Sequence, residues 1–484
     1  MFASNNTGLV PHKRLRTMTL RNILFFSFGV SLSVLLLWIG GSTSPRALAQ
    51  PAPDASAGEP ADAPGLPPDE PDLPPDEPDL PDEEPDLREE PVPPTPEVQP
   101  PPQESPAPLR PNIGTKPYLT VEVHEDLRRE RNNVMAMLRN RKFEGEEEEK
   151  VFEAYYRQYF LPRWTQPEHL ASLPLFRREL RNNLQVARSG PPHSRLQQVV
   201  IDYLGRMASA NVHPAARVNA MLMIGELNEE EPVRAGDAPT PLPATLPVLL
   251  KTLDDDRQID PVKVAALVGI VRHAQFGQRT PESTAAIQRA MIRLANSPGA
   301  PARSAEGHAW MRAQAARTLG LLGSVGENAA VARLLAALVA DDQLEMLVRC
   351  HAAAALGQLN YAGAAGLNVA QVVAALGRLA ADAVRADTDS FDDTPDSFSR
   401  RRLKARLVAV QHGLVGDDEE RVRGIGEVVG GGEQQAFNAV RSEVEKLLAL
   451  FDSKLDDDQL VESLRASLAN LGPARRPETA QTGR

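Results

Sequence analysis

The chain has 484 residues, a net charge of −12 and one cysteine. Residues 1–49 carry +5 and residues 50–112 carry −15, which leaves −2 for the remaining residues. Such a nearly neutral remainder argues against a nucleic-acid partner, because that binding draws on a surplus of Lys and Arg on one face. Since Cys350 is the only cysteine, an intramolecular disulfide is excluded and packing must hold the fold.

Residues 1–49 are predicted to form an export signal. A basic stretch ending at Arg21 precedes the uncharged run NILFFSFGVSLSVLLLWIGGSTSP. Ala47 and Ala49 are the small residues that a signal peptidase requires, with cleavage before Gln50. The alternative is an uncleaved transmembrane anchor, the chain's one predicted membrane contact, because roughly 20 apolar residues span a bilayer. Both interpretations place the chain after Gln50 outside the cytoplasm, in the periplasm or the cell envelope.

Residues 50–112 are predicted to be a disordered linker rich in proline and acid. They hold 22 of the 43 prolines and contain the repeat LPPDEPDLPPDEPDLPDEEPDL. Proline removes backbone donors and the carboxylates repel one another, so this segment cannot form a packed core. It is either a stalk that holds the folded part away from a membrane or wall, or a plain solvated linker.

Residues 113–190 are predicted to form an N-terminal helical cap that concentrates the aromatic residues. An aromatic stripe at helical spacing could be a docking surface, since Tyr and Trp are enriched in binding hot spots. More often such a stripe forms the core of a helical cap, which is the favoured interpretation. The stripe comprises Phe152, Tyr155, Tyr156, Tyr159 and Phe160, followed by Trp164 and Phe176.

Residues 191–471 repeat one helical pattern. In MRAQAARTLGLLG and VRCHAAAALGQLN, we number Arg312 and Arg349 as zero; Ala follows at +3, Leu at +7, Gly at +8 and Leu at +10. Arg217 begins a third copy. Lys263 begins a weaker copy, in which Val271 stands where Gly is expected. Successive copies start about 46, 49 and 37 residues apart, which is typical of two-helix solenoid repeats.

Each position of the pattern has a packing role. Residues at +3, +7 and +10 share one helix face, so they form a stripe that other helices must cover. Glycine inside a helix costs about 1 kcal/mol relative to alanine, so its return at +8 predicts that a neighbouring backbone passes there. An amphipathic stretch precedes each copy, which predicts helix pairs that stack; two less regular pairs follow residue 360.

The pattern, with Pro214 before Arg217 and Pro261 before Lys263, resembles the second helix of a HEAT repeat. The resemblance covers about residues 192–360 well and residues 360–471 loosely. It implies an all-α fold, an α-solenoid of stacked helix pairs whose second helices line the concave side. With the export signal and spacer, the chain also resembles exported HEAT-repeat proteins of planctomycete-type bacteria. The last residues, 472–484, are predicted to be a disordered tail.

No motif in the sequence indicates catalysis, a metal or a cofactor. The nine histidines show neither His-x-x-x-His nor His-Glu-x-x-His spacing. HEAT-type iron enzymes such as deoxyhypusine hydroxylase use His-Glu pairs on several repeats, whereas this chain has only His124-Glu125. The run GIGEVVGGG lacks the spacing of a phosphate-binding loop, so it is interpreted as a flexible turn.

Helix positions +2, +5 and +9 lie opposite the packing stripe and would face a partner. They mix polar, apolar and charged residues, which suits a protein or peptide better than a polyanion. An ordinary solvated surface is the alternative interpretation. The candidate partner-binding residues are Asn219, Glu226, Arg272, Gln314, Arg317, His351 and Gln358.

The sequence therefore favours a non-enzymatic protein-protein interaction scaffold outside the cytoplasm. One alternative is an enzyme of unfamiliar type, with a pocket at the aromatic cap around Tyr155, Tyr159, Arg163 and Trp164. Another is a purely structural spacer protein of the envelope.

Overall fold

The computed structural model describes residues 117–468 except residues 235, 300–302, 363–365, 394–397 and 417–423. The predicted export signal, the spacer and the tail lie outside the described residues. The described part contains fifteen α-helices and no strand, so the all-α prediction is confirmed. None of the described helices is both long and apolar enough to span a membrane.

The helices follow one another with short connections. The α-helices are α1 (Arg131–Asn140), α2 (Glu146–Ala154), α3 (Leu173–Ala187), α4 (Pro191–Ser209), α5 (Pro214–Glu226), α6 (Leu246–Asp254), α7 (Asp260–Phe276), α8 (Pro281–Asn296), α9 (Ala305–Leu322), α10 (Ala330–Ala340), α11 (Met346–Gly357), α12 (Val369–Asp393), α13 (Arg400–Val415), α14 (Gln434–Leu450) and α15 (Asp457–Leu468). A π-helical turn, Tyr155–Phe160, extends α2. The 3-10 turns are Glu125–Glu130, Pro162–Thr165, Pro167–Ser172, Pro243–Thr245, Glu327–Ala329 and Gly424–Val428.

Local sequence explains where many helices begin. Pro191, Pro214 and Pro281 each occupy the first helical position, where the missing N–H would have no partner within the helix. The hydroxyl of Ser304 accepts a hydrogen bond from the amide of Gly307 at 3.0 Å and so caps the start of α9. These signals confine the turns to the boundaries between the repeated stretches.

From α4 onward the helices pack in antiparallel pairs, and the pairs stack. Each first helix contacts the second helix that follows it, in the pairs α4/α5, α6/α7, α8/α9, α10/α11 and α12/α13. Second helices also contact one another in succession, from α5 through α7, α9 and α11 to α13. Residues Ser324 and Asn360, just beyond α9 and α11, form a parallel backbone bridge. This packing is compatible with the predicted α-solenoid.

The recurring glycines lie where successive second helices approach most closely, as predicted. A Cβ added at Gly320 of α9 would lie 2.8 Å from the Cα of Ala355 on α11. A Cβ added at Gly357 would overlap the carbonyl group of His412 on α13. Side chains larger than hydrogen would therefore separate these helices.

The copy that begins at Lys263 supplies its glycine at a different position. Gly269, at +6, lies against Gly225 of α5, where an added Cβ would approach the neighbouring Cα within 3.0 Å. Val271, at the position where the pattern expects glycine, is buried. The register explains this, because +8 of one second helix faces +6 of the next: Gly225 faces Gly269 just as Gly320 faces Ala355.

Candidate partner-binding face

The repeated arginine acts inside the fold. In three copies its Nε donates a hydrogen bond to the carbonyl oxygen of the last-but-one residue of the preceding first helix. Those carbonyls have no donor within their own helix, so the arginine closes the helix end. The three bonds are Arg217–Ala208 at 3.1 Å, Arg312–Ala295 at 2.8 Å and Arg349–Val339 at 3.1 Å.

Two of these arginines also join one helix pair to the next. A terminal nitrogen of Arg217 donates to the side-chain oxygen of Gln258, in the loop before α7. A terminal nitrogen of Arg349 donates to Asp382 of α12 at 2.8 Å. Sequence analysis predicted only that this position recurs; its role as a helix-end donor appears only in the structure.

Solvent reaches the second helices mainly at one register, although Leu222, Ala265 and Gln314 at that register are buried. On α11, every residue from Val348 to Gly357 is buried except His351 and Ala354, which are partly exposed. The spacing of four, three and four residues recurs on each helix, because such residues share one face. We call this set the second-helix stripe. It comprises Ala215, Asn219, Leu222 and Glu226 on α5; Pro261, Ala265, Val268 and Arg272 on α7; Trp310, Gln314, Arg317 and Leu321 on α9; and Leu347, His351, Ala354 and Gln358 on and just after α11.

Six of the seven predicted site residues are partly exposed on this stripe. The exception is Gln314, of which only 8% is exposed, so it belongs to the packing between helices. Two stripe residues that the sequence analysis omitted are Trp310, which is partly exposed, and Leu347, which is 43% exposed. Both stand at −2 in the repeat, so extending the register by one turn would have found them.

The polar stripe residues of α5 are engaged within the chain. Asn219 accepts a hydrogen bond from Arg177 at 3.3 Å and donates to the carbonyl of Ala215. The carboxylate of Glu226 lies 3.7 Å from Arg177 and 3.4 Å from Arg181, both on α3. The N-terminal cap therefore covers and neutralises the acidic end of the stripe.

Arg272 of α7 is engaged in the same way. It donates to the carbonyl oxygens of Gly225 and Leu227, at 3.1 and 3.2 Å, and to the side chain of Asn228. These acceptors lie at the end of α5, where carbonyls lack helical donors. Arg272 thus closes the end of the neighbouring second helix, and its guanidinium is largely used inside the fold.

The α9 and α11 part of the stripe differs. Arg317 is partly exposed, and within the described chain it has neither a hydrogen-bond acceptor nor a carboxylate within ion-pair distance. Burial alone lowers the pKa of its guanidinium, with no acid to oppose the shift. Burial, followed by the charge of Arg317, lowers the pKa of His351 to about 4, so that imidazole is neutral at pH 7.

The aromatic residues of the N-terminal cap form its core. Tyr155, Tyr159 and Trp164 are at most 5% exposed, and the rings of Tyr155 and Tyr156 meet edge to face at 5.2 Å. Burial raises the pKa of Tyr155 to about 12. Arg163 covers this core, with its guanidinium carbon 5.2 Å from the ring centre of Tyr159. The three aromatic side chains therefore belong to the packed core of the cap.

A surface cavity of about 410 Å³ lies elsewhere in the cap, between α1 and the start of α2. Several of its charged groups interact with one another: Lys142 lies 3.3 Å from Glu144, and Glu148 accepts a hydrogen bond from the amide of Glu144 at 2.8 Å. Its lining residues are Glu130, Asn133, Ala136, Met137, Asn140, Lys142, Glu144, Glu147, Glu148 and Val151.

The residue types that could bind a metal are dispersed over the described helices, which hold no group of three or more suitable side chains. His273 Nε2 lies 2.9 Å from the hydroxyl of Thr245, and burial lowers its pKa to about 4. His308 Nε2 lies 3.0 Å from the carbonyl oxygen of Ser297. Cys350 is buried, which raises its pKa to about 11 and disfavours the reactive thiolate.

No protein-family model matches the chain, and no curated protein matches it either.

Proposed function

We propose that this protein is a non-enzymatic protein-protein interaction scaffold of HEAT-repeat type that acts outside the cytoplasm. Its solenoid would bind a protein or peptide along the second-helix stripe. The N-terminal segment would export it, and the spacer of residues 50–112 would separate the binding domain from the membrane or wall.

The observation that carries this proposal is the repeated geometry of the stripe. Second helices stack in succession, and most of their partly exposed residues stand at the same four positions, although Leu222, Ala265 and Gln314 at those positions are buried. Successive repeats therefore place accessible side chains on a common surface, which is how repeat proteins present extended binding surfaces. A surface built from several helices suits a ligand that spans several repeats, such as a protein segment.

The chemistry of the stripe favours a protein ligand over a nucleic acid. From α5 to α11 it holds one acidic residue, Glu226, and two arginines, Arg272 and Arg317. Polyanion binding needs many phosphate contacts from Lys and Arg. A mixture of apolar side chains, amides and single charges is instead typical of protein interfaces.

Site-specific photocrosslinking in the native cell envelope tests this function. A benzophenone amino acid at position 354, in the middle of the α11 stripe, should give a reproducible adduct with a partner protein. The matched control is position 337, which is exposed on α10, a first helix. No adduct from any stripe position, or identical adducts from positions 354 and 337, would overturn the proposed binding surface.

The proposed export is tested separately by sequencing the N-terminus of the mature protein. A start at Gln50 would show a cleaved signal, and an intact N-terminus in the membrane fraction would show an anchor. Recovery of the intact chain in the cytoplasmic fraction would contradict both interpretations.

A further inference from the structure

Five side chains on α9 and on or just after α11 have no hydrogen bond or ion pair with a side chain of the described residues. We define the α9/α11 patch as Trp310, Arg317, Leu347, His351 and Gln358. The two helices pack closely: an added Cβ at Gly320 would lie 2.5 Å from the side-chain oxygen of Gln358. The charge of Arg317 also acts electrostatically on His351 of α11.

Arg317 is the unusual member of the patch. A guanidinium that is partly buried loses hydration, and a carboxylate or other acceptor normally compensates for the loss. Within the described residues Arg317 has no such acceptor, whereas Arg272 at its end of the stripe donates to three. A carboxylate would complement this guanidinium through two parallel hydrogen bonds.

The surrounding charges reinforce this preference. His351 is neutral at pH 7, so Arg317 carries the charge of the patch. Glu226 is the acidic residue of the stripe, and it is already within ion-pair distance of Arg177 and Arg181 on α3. Glu345 precedes α11, but its charge acts on His308 rather than on Arg317. An acidic ligand therefore meets an unopposed positive charge.

Apolar side chains lie on the same stripe as Arg317. Trp310 precedes it by seven residues on α9, and Leu347 is 43% exposed at the start of α11. Tryptophan and arginine are the residue types most enriched at interface hot spots. The patch thus offers an apolar site and a cationic site on one face.

The helix geometry sets the distance between these two sites. Seven residues at about 1.5 Å each place Trp310 and Arg317 about 10 Å apart along the axis. An extended peptide advances about 3.3 Å per residue, so it covers that distance in about three residues. A segment that lies along α9 would continue past Arg317 over Leu321, which is also partly exposed, and this favours a side-chain carboxylate over a chain terminus.

The geometry points to a specific ligand class: an extended segment of a partner protein that carries a large apolar residue and an acidic residue about three positions apart. The acidic side chain binds Arg317, and the apolar side chain packs against Trp310 and Leu347. This site rests on the proposed scaffold function and names the chemistry that the scaffold selects.

Fluorescence polarisation with the full chain in mild detergent tests the site. The probe is the rhodamine-labelled, amidated peptide Gly-Ser-Leu-Ser-Ser-Glu-Ser-Gly. Its matched peptides replace Glu by Gln, replace Leu by Ala, exchange Leu and Glu, or place Leu and Glu one or five positions apart. We expect the three-residue spacing in one of the two orders to bind at least tenfold more tightly than its Gln and Ala counterparts.

Charge exchange provides the decisive variant. Arg317→Glu should weaken binding of the acidic peptide at least tenfold. The variant protein should instead bind a peptide with Lys in place of Glu more tightly than the acidic peptide. Arg317→Gln tests the loss of charge alone if the reversal unfolds the chain, as checked by helical circular dichroism. The control is Arg333→Glu, because Arg333 is exposed on α10, a first helix; it should leave affinity unchanged.

The outcomes separate this site from the scaffold function. Equal affinity for the Glu and Gln peptides, or tighter binding of a peptide whose only carboxylate is its free C-terminus, would overturn the site. Persistent photocrosslinks from position 354 in that case would leave the scaffold function standing. Loss of both the peptide binding and the crosslinks would overturn both.

Discussion

The α5 and α7 part of the second-helix stripe and the α9 and α11 part share one packing scheme but use their polar residues differently. In both, a glycine lets neighbouring helices meet and an arginine closes the end of a first helix. In the first part, Glu226 and Arg272 are engaged by residues of the same chain. In the second part, Arg317 is not engaged by any described residue.

The difference shows that a repeat contains two classes of position: those fixed by packing and those free to vary. Positions zero and +8 are constrained by contacts that every pair must make, so arginine and glycine recur there. Stripe positions have no common packing role, so each can bond to whatever lies beside it. The N-terminal cap lies beside α5 and supplies Arg177 and Arg181, whereas α9 and α11 have repeats of the same kind on both sides.

The largest effect should follow from removing an arginine that closes a helix end. Arg349→Ala should lower the free energy of unfolding by about 3 kcal/mol, because it leaves the carbonyl of Val339 without a donor and removes a buried cation beside Asp382. Arg217→Ala should have a similar effect in the first part of the stripe. Urea unfolding of both variants measures it, with Arg333→Ala on the exposed face of α10 as the control, expected to change stability by less than about 0.5 kcal/mol.

Replacing a glycine at a contact between second helices by alanine should have the next largest effect on the free energy of unfolding. Gly320→Ala should cost about 2 kcal/mol, because the new methyl group would overlap Ala355 by more than helix propensity returns. Gly225→Ala should cost a similar amount against Gly269. The matched control is Gly205→Ala on α4, where an added Cβ has no neighbour within 4 Å; it should stabilise the protein by about 1 kcal/mol. Equal behaviour of all three in urea unfolding would contradict the close approach of second helices.

The fold was accessible from the sequence because packing imposes a period. The all-helical architecture followed from apolar spacing, and the close helix contacts followed from glycine at a repeated register. The copy at Lys263 shows where that reasoning fails. Its glycine, Gly269, stands two residues before Val271. Two facing helices meet at offset positions, and a register read from one helix alone omits that offset.

The sequence was enough to predict which helix face carries the candidate site, but not which residues on that face are buried or bonded to other parts of the chain. The register placed Arg317 and His351 on an accessible face, yet it placed Gln314 there as well, and that side chain is buried. Whether a stripe residue is free depends on residues distant in the chain. Arg177 lies 42 residues before Asn219 and bonds to it, and no local pattern encodes such a pair.

A pH dependence of stability should follow from His273, which is buried on α7, and from His351, which is partly exposed on α11. The pKa values of His273 and His351 are lowered from 6.5 to about 4 in the folded protein. Between pH 4 and pH 6.5 the unfolded chain therefore binds more protons than the folded protein does. The contribution of each neutral histidine to stability is present above pH 6.5 and is lost as the pH falls towards 4. Between pH 7 and pH 5 each histidine should account for about 2 kcal/mol.

Urea unfolding at several pH values measures this dependence. His351→Gln and His273→Gln should each flatten the pH profile below pH 6.5 and leave the slope above pH 7 unchanged. His124→Gln is the control, because that side chain is exposed. A pH profile of either variant that parallels that of the parent chain would contradict the neutral state of that histidine in the folded protein.

Replacement of Arg317 should have the smallest effect on stability. Comparison with replacement of Arg272 then tests the difference between the two parts of the stripe. Arg317→Gln should change the free energy of unfolding by less than about 0.5 kcal/mol, or raise it, because no described residue compensates this guanidinium for its lost hydration. Arg272→Gln should cost about 2 kcal/mol, because the carbonyls of Gly225 and Leu227 lose their donor. Parallel urea unfolding of the two variants measures the difference. Similar losses would mean that Arg317 supports the fold as Arg272 does, whereas a stable Arg317→Gln protein would show that the charge of Arg317 does not support the fold.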